Sequence, residues 1–190
     1  MTDELDPHPH HVVVFAIVRA PATAKASVAS VVRSVAVLSI THESKKSVRF
    51  DIDQRIYPYG HSTTAIIEGL AATIPQGATV MSGLVDDVSV RPSDLELLAQ
   101  ARSDLIVLSM NGCSADMDQV AIAYSLPRAR PDASVEMRVH RLPVEVQCLW
   151  LMYLWAYCDD SERAWLIAGW LAWRALRLAR PFIPDLDERR

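Results

Sequence analysis

The chain has 190 residues, of which 51% are apolar and 22% are charged. This length fits one domain with a sizeable buried core, and the composition argues against a disordered protein. The formal net charge of −4 argues against binding of nucleic acid through a global positive field. It leaves room for a local basic patch.

The N-terminal segment, the cysteines and an apolar run near the end of the chain indicate where in the cell the protein is located. Residues 1–10 are acidic and rich in His and Pro, which is the wrong charge for a secretory signal, and we expect a flexible segment there. The three cysteines form no C-x-x-C pair, a pattern typical of reduced thiols. The apolar run at residues 144–158 is too short to span a membrane, and acidic residues follow it. We therefore expect a cytoplasmic protein without a membrane segment.

The first third of the chain predicts three strands. Residues 11–19 form a continuous β-branched and aromatic run, which favours a strand buried on both faces. Further strands are predicted at 34–41 and 47–53, so that the three form an antiparallel meander. Pro58 and Gly60 are expected to break the chain after the third strand.

Helices and short strands then alternate. We expect helices from Ser62 or Thr63 to Thr73 and at 92–102, and strands at 78–81 and 104–110. Residues 111–142 show no clear period. Two helices at about 143–157 and 160–180 close a single domain of residues 11–181, and residues 182–190 form a flexible tail. The sequence therefore predicts an α/β fold with a mixed sheet, a three-strand meander plus further strands, flanked by helices.

Three short segments add to this order of elements. Residues 14–18 read VFAIV in the first strand, residues 94–98 read DLELL after a buried strand, and residues 157–161 read YCDDS before the last long helix. Together with the element order, these segments resemble the motifs of the DEDD-type 3′–5′ exonucleases, which have a ribonuclease-H-like fold. The resemblance covers most of residues 11–180. It implies that the corresponding positions lie close together at one edge of the sheet.

The family's acids are mostly replaced. Where the first motif of the family carries two metal-binding acids, this chain has Ala16 and Val18. The second motif keeps its acid at Asp94, with Asp87 as the other candidate. In the third motif, Y-C-x-x-D in the family, Tyr157 keeps its place.

The acid of the third motif is also missing, because Ser161 occupies its position and Asp160 lies one residue before it. Cleavage of a phosphodiester by two metal ions needs a cluster of carboxylates, since magnesium takes hard oxygen ligands. We therefore treat Asp94, Tyr157 and Asp160 as vestigial catalytic positions and expect no cofactor.

An active enzyme is the main alternative. Phe50-Asp51-Ile52-Asp53 looks like the missing first motif, and Asp51, Asp53 and Asp87 would then bind Mg²⁺ or Mn²⁺. The chain, however, runs from there directly into a helix. We interpret Asp51 and Asp53 as partly solvent-facing residues of the third strand. Asp159 is expected to cap the last helix together with Glu162, and Asp94 can equally be a first-turn acid.

Five tryptophans crowd the last two helices, and Leu166, Trp170 and Trp173 follow a core-facing stripe. Exposed tryptophans would instead anchor a partner protein or an oligomer formed through these helices. The candidate residues for binding single-stranded nucleic acid are Arg138, Arg141, Arg174 and Arg177. The leading hypothesis is a catalytically degenerate exonuclease-fold domain that binds a nucleic acid or a partner protein. An active exonuclease and a pure assembly subunit remain the alternatives.

Overall fold

The computed structural model describes residues 11–21, 30–44, 47–82, 92–110, 116–130 and 132–179. The predicted flexible ends at 1–10 and 182–190, and the candidate Asp87, lie outside the described residues.

Five strands form one mixed sheet in the order β3-β2-β1-β4-β5. The antiparallel strands β1 (His11–Pro21), β2 (Ser30–Ser44) and β3 (Ser47–His61) make the meander. The short strands β4 (Thr79–Ser82) and β5 (Ile106–Ser109) continue the sheet in parallel beside β1. The predicted α/β class, with its meander and mixed sheet, is confirmed.

Within the described ranges, the helices are α1 (Thr63–Thr73), α2 (Pro92–Ala101), α3 (Met117–Ala123), α4 (Val135–Tyr157) and α5 (Asp160–Ala179). Ser62 caps α1 as predicted, because its side chain accepts a hydrogen bond from the backbone N–H of Ala65. Asp159 likewise accepts bonds from the backbone N–H groups of Ser161 and Glu162, which confirms the predicted cap of α5.

Both faces of the sheet are buried. Along β1, Val12, Val14, Ala16 and Val18 belong to an apolar cluster with residues of α3, α4 and α5. The alternate residues of β1 pack with α1 and α2 in a second cluster. Since side chains alternate along a strand, the two clusters lie on opposite faces, here named the α4 face and the α1 face. This explains the unbroken apolar run of β1.

The third strand is longer than predicted. It continues through Pro58 and Gly60, and His61 still pairs with Val32. A register irregularity between Val32 and Ser34 marks this region. Proline is tolerated there because β3 is an edge strand, where half of the backbone groups need no partner in the sheet.

Helix α4 begins at Val135, eight residues before the predicted start, and Pro143 lies inside it. A proline has no N–H to bond to the carbonyl four residues before it. That carbonyl belongs to Val139, and it accepts a bond of 2.6 Å from Nε2 of Gln54 on β3. A side chain of the sheet thus replaces the missing helical hydrogen bond, which lets the helix continue.

We expect Gln54→Leu to destabilise the domain by about 1–3 kcal/mol, because the partly buried carbonyl of Val139 loses its donor. The substitution should cost less in a Pro143→Ala background, since an alanine at that position would supply the helical N–H. Urea denaturation of the two single variants and the double variant measures this coupling. An equal cost of Gln54→Leu in both backgrounds would contradict the explanation.

Among the described helices, none has both the length and the apolar character needed to cross a membrane. Cys148 and Cys158 form no disulfide. Burial raises the pKa of Cys148 to about 12, so its sulfur remains protonated at neutral pH.

Candidate functional site

The predicted catalytic site lies at the carboxyl half of β1. Ala16 and Val18 point into the core of the α4 face and are buried among apolar side chains. They provide no ligand for a metal. A carboxylate at either position would have to displace packed side chains of α4 or its neighbours.

Asp94 lies on the opposite face. It stands in the first turn of α2, which confirms a first-turn acid, and only 2% of its side chain is exposed. Its carboxylate accepts a hydrogen bond of 2.5 Å from the guanidinium of Arg19, whose side chain is 5% exposed. A buried charge needs a partner, and Arg19 supplies an opposite charge. The acid predicted for the second motif is therefore paired with a cation that immediately follows Val18.

The third motif lies near the other end of β1. Trp165, one turn after Ser161, contacts the ring of His42 with centroids 6.0 Å apart. Thr41, the residue before His42 on β2, pairs with His11, where β1 begins. Ala16 lies five residues further along β1, which corresponds to about 16 Å. The structure therefore does not bring Ser161 to Ala16, and the expected convergence of all three motifs is not observed.

The remaining residues of this motif are on the surface. Tyr157 is exposed at the end of α4, where its ring lies 5.3 Å from that of Tyr153. Asp160 is exposed and forms an ion pair with Arg163, one turn along α5. The hydroxyl of Ser161 donates to the capping carboxylate of Asp159. Each side chain thus has a local contact or belongs to the helix cap.

The alternative metal ligands on β3 do not form a cluster of ligands either. Asp51 and Asp53 are exposed, as interpreted from their alternation, and they lie on the α1 face because Phe50 and Ile52 occupy the α4 face. Asp53 pairs with Arg55 at 3.4 Å. Within the described ranges, no group of three or more His, Cys, Asp or Glu residues could hold a metal ion.

A cavity of about 250 Å³ lies between α1 and the sheet, on the α1 face. Its floor is apolar and its rim is polar. The rim residues are Asp53, Arg55, Tyr57 and His61. The cavity is on the face opposite to Ala16 and Val18, so it is separate from the predicted catalytic positions.

Two of the four candidate arginines donate hydrogen bonds to backbone carbonyls of the domain. Arg174 donates to the backbone carbonyls of Tyr124 and Ser125, at 2.8 and 3.0 Å. Ser125 has a φ of 52°, an uncommon conformation for a residue other than glycine, and Arg174 ties down this turn after α3. Arg138 donates to the carbonyl of Ala133, just before α4 begins.

The other two arginines are placed differently. Arg141 is half-buried on α4. Arg177 is exposed on α5, and its guanidinium lies 5.6 Å from the ring centroid of Trp173. These two remain the candidates for contacts with phosphate, whereas the backbone bonds of Arg138 and Arg174 compete with such a role.

The tryptophans mostly belong to the core. Trp150 and Trp170 are fully buried, and Trp165 and Trp173 pack against the α4 face. Leu166, Trp170 and Trp173 therefore form the predicted core-facing stripe. Trp155 is half exposed, and Arg163 lies over its ring at 4.2 Å.

Helix α5 has a second apolar face, which was not predicted from the sequence. On the side away from the core, alanine and leucine side chains form an exposed stripe over four turns of this helix. Leu171, Leu176 and Leu178 are 45%, 68% and 74% exposed. We name this surface the outer face of α5. Its members are Ala164, Ala168, Leu171, Ala172, Ala175, Leu176 and Leu178.

The described residues thus define an α/β protein with a five-stranded mixed sheet, a neutralised acid beside β1 and an apolar outer helix face. Neither protein-family models, nor curated proteins, nor solved structures gave a match to this chain.

Proposed function

We propose that this protein is a non-catalytic domain of the ribonuclease-H-like class, related to the DEDD exonucleases, that works by binding a partner protein. The order of the elements and the mixed sheet support the family assignment. The position of Asp94, on the face opposite to Ala16 and Val18, and the position of Ser161 do not support it. Location in the cytoplasm stays a prediction.

The buried pair of Arg19 and Asp94 carries the non-catalytic part of the proposal. A two-metal site needs several carboxylates whose charge is available to the ions. Here the one surviving acid is held by a guanidinium, and Ala16 and Val18 are apolar core residues. Mg²⁺ or Mn²⁺ would therefore meet a guanidinium beside Asp94 and apolar side chains around Ala16 and Val18. We propose no cofactor.

The outer face of α5 favours a protein partner over nucleic acid. An exposed stripe of leucines and alanines is costly to leave in water and is typical of a surface that another protein covers. Nucleic acid would instead need a basic groove. Two of the four candidate arginines are engaged with backbone carbonyls, and the net charge of the chain is −4.

We expect no degradation of single-stranded DNA or RNA above background in the presence of Mg²⁺ or Mn²⁺. Isothermal titration of the full chain with Mn²⁺ should show no saturable binding, because the described residues lack a ligand cluster. Asp51→Asn should change neither result, since Asp51 is exposed and apart from Asp94. Robust cleavage that disappears in Asp51→Asn would overturn the proposal in favour of the active exonuclease.

Binding of single strands distinguishes the nucleic-acid alternative. Affinity that falls steeply with salt and is weakened by Arg141→Gln and Arg177→Gln would support a phosphate-binding surface and count against the protein partner. Arg55→Gln is the control, because Arg55 lies on the α1 face and pairs with Asp53. We expect no such binding.

A further inference from the structure

We propose that the outer face of α5 pairs with the same face of a second copy of this chain, with the two helices antiparallel. This inference rests on the proposed function, because it identifies the partner for the face that we assigned to protein binding. It is argued from the spacing, the size and the charge of the residues of α5.

The spacing is that of a helix–helix seam. Ala164, Ala168, Leu171, Ala175 and Leu178 follow one another at alternating intervals of four and three residues, and all are exposed. This interval is the repeat that keeps one stripe of a helix against a neighbouring helix over several turns. Since the domain's own core takes the opposite stripe, the seam faces outward, where a second helix can reach it.

The side chains along the seam are complementary in size to themselves. In an antiparallel pair, Ala168 of one copy can face Leu171 of the other, and the two-fold axis repeats this contact. The same register sets Ala164 opposite Ala175. At the centre of the seam, each alanine therefore faces a leucine or another alanine, and no leucine faces a leucine. This arrangement allows close packing without voids.

The acidic first turn and the dipole of α5 favour the antiparallel orientation. The first turn carries Asp160 and Glu162. The side chain of Asp160 is almost fully exposed, although it pairs with Arg163. A parallel pair would bring the two acidic first turns together and would align the helix dipoles unfavourably.

The interface is expected to be small, because α5 is about 30 Å long and contributes one face. Interfaces of this size are at the weak end of specific association. The dimer should therefore form and dissociate with concentration, with a dissociation constant on the order of micromolar.

Sedimentation velocity of the full chain over a range of concentrations tests the pairing. We expect a reversible monomer–dimer equilibrium. Leu171→Glu should weaken it by about a hundredfold, since each substitution enters the two-fold interface twice. Leu178→Glu, at an even more exposed position, gives a second test if the first variant folds poorly. The control is Ile122→Glu on α3, which removes an exposed apolar side chain elsewhere and should leave the dimer unchanged.

Single cysteines test the orientation. In the antiparallel register, residues 168 of the two copies lie near the two-fold axis, whereas residues 164 are about 16 Å apart along the helix. Mild oxidation should therefore cross-link Ala168→Cys and not Ala164→Cys, each compared with the unsubstituted chain. Efficient cross-linking of Ala164→Cys would overturn the antiparallel arrangement.

A chain that stays monomeric at all concentrations, or a dimer unaffected by Leu171→Glu and Leu178→Glu, would overturn the pairing with a second copy. Such a result would leave the non-catalytic domain standing, because the nuclease and metal-binding measurements test that part separately. Conversely, metal-dependent cleavage would refute the proposed function even if the chain dimerised through α5.

Discussion

Replacing Asp94 with Asn is expected to lower the free energy of unfolding by about 3–5 kcal/mol, because it removes the negative charge that bonds to the buried guanidinium of Arg19. The bond of 2.5 Å and the near-complete burial of both side chains make this the most sensitive ion pair described. Urea denaturation followed by circular dichroism measures the loss. Arg19→Met should have an effect of similar size, since it removes the positive charge that bonds to the buried carboxylate.

Two controls test whether the loss of stability comes from the buried charge or from a general loss of contacts. Asp53→Asn removes the carboxylate of a pair whose two side chains are more than half exposed, and it should change stability by less than about 0.5 kcal/mol. The double variant Arg19→Met with Asp94→Leu removes both charges and should recover most of the stability. A loss in the double variant equal to the sum of the single losses would show that the pair does not act through its charges.

Introducing acids at the two first-motif positions, with Ala16→Asp and Val18→Glu, is expected to destabilise the domain by several kcal/mol or unfold it. Each carboxylate would be buried in the apolar core of the α4 face without a cation. Burial favours the protonated carboxyl and so raises its pKa in the folded state. The destabilisation should therefore be smallest below about pH 4 and should grow as the pH rises through the raised pKa.

The neutral variants Ala16→Asn and Val18→Gln serve as matched controls, because they add similar volume without a titrating group. Their destabilisation should not depend on pH in the same range. Added Mg²⁺ should not rescue the acidic variants, since Asp94 lies on the opposite face of the sheet and is bonded to Arg19. Recovery of stability with Mg²⁺, accompanied by cleavage of single strands, would show that the positions still form the metal site of the exonucleases.

Local features of the fold followed from the sequence alone. The continuous β-branched run from His11 is a strand because such residues pack well on both faces of a sheet. Ser62 and Asp159 cap helices because their side-chain oxygens satisfy N–H groups within three residues. The buried stripe of Leu166 and Trp170 followed from helical spacing. In each case the deciding interaction lies within about one turn or along one strand.

Other features were decided only by tertiary contacts. A helix was predicted to start at about residue 143, yet α4 begins earlier and runs through Pro143. It can do so because Gln54, 85 residues before Val139, donates a hydrogen bond to the carbonyl of Val139. Arg19 and Asp94 are 75 residues apart and neutralise each other only after β1 and α2 have packed together.

The site and the interaction surface depend on such long-range packing as well. The sequence of α5 contains two apolar stripes, and its local spacing allows either one to face inward. The stripe with the tryptophans is in the core because it packs with Phe50 and with Tyr124 from other elements, which buries more apolar surface than alanines could. The sequence by itself determined that α5 is an apolar helix, and only the packing of the whole domain decided that its alanine and leucine face is exposed.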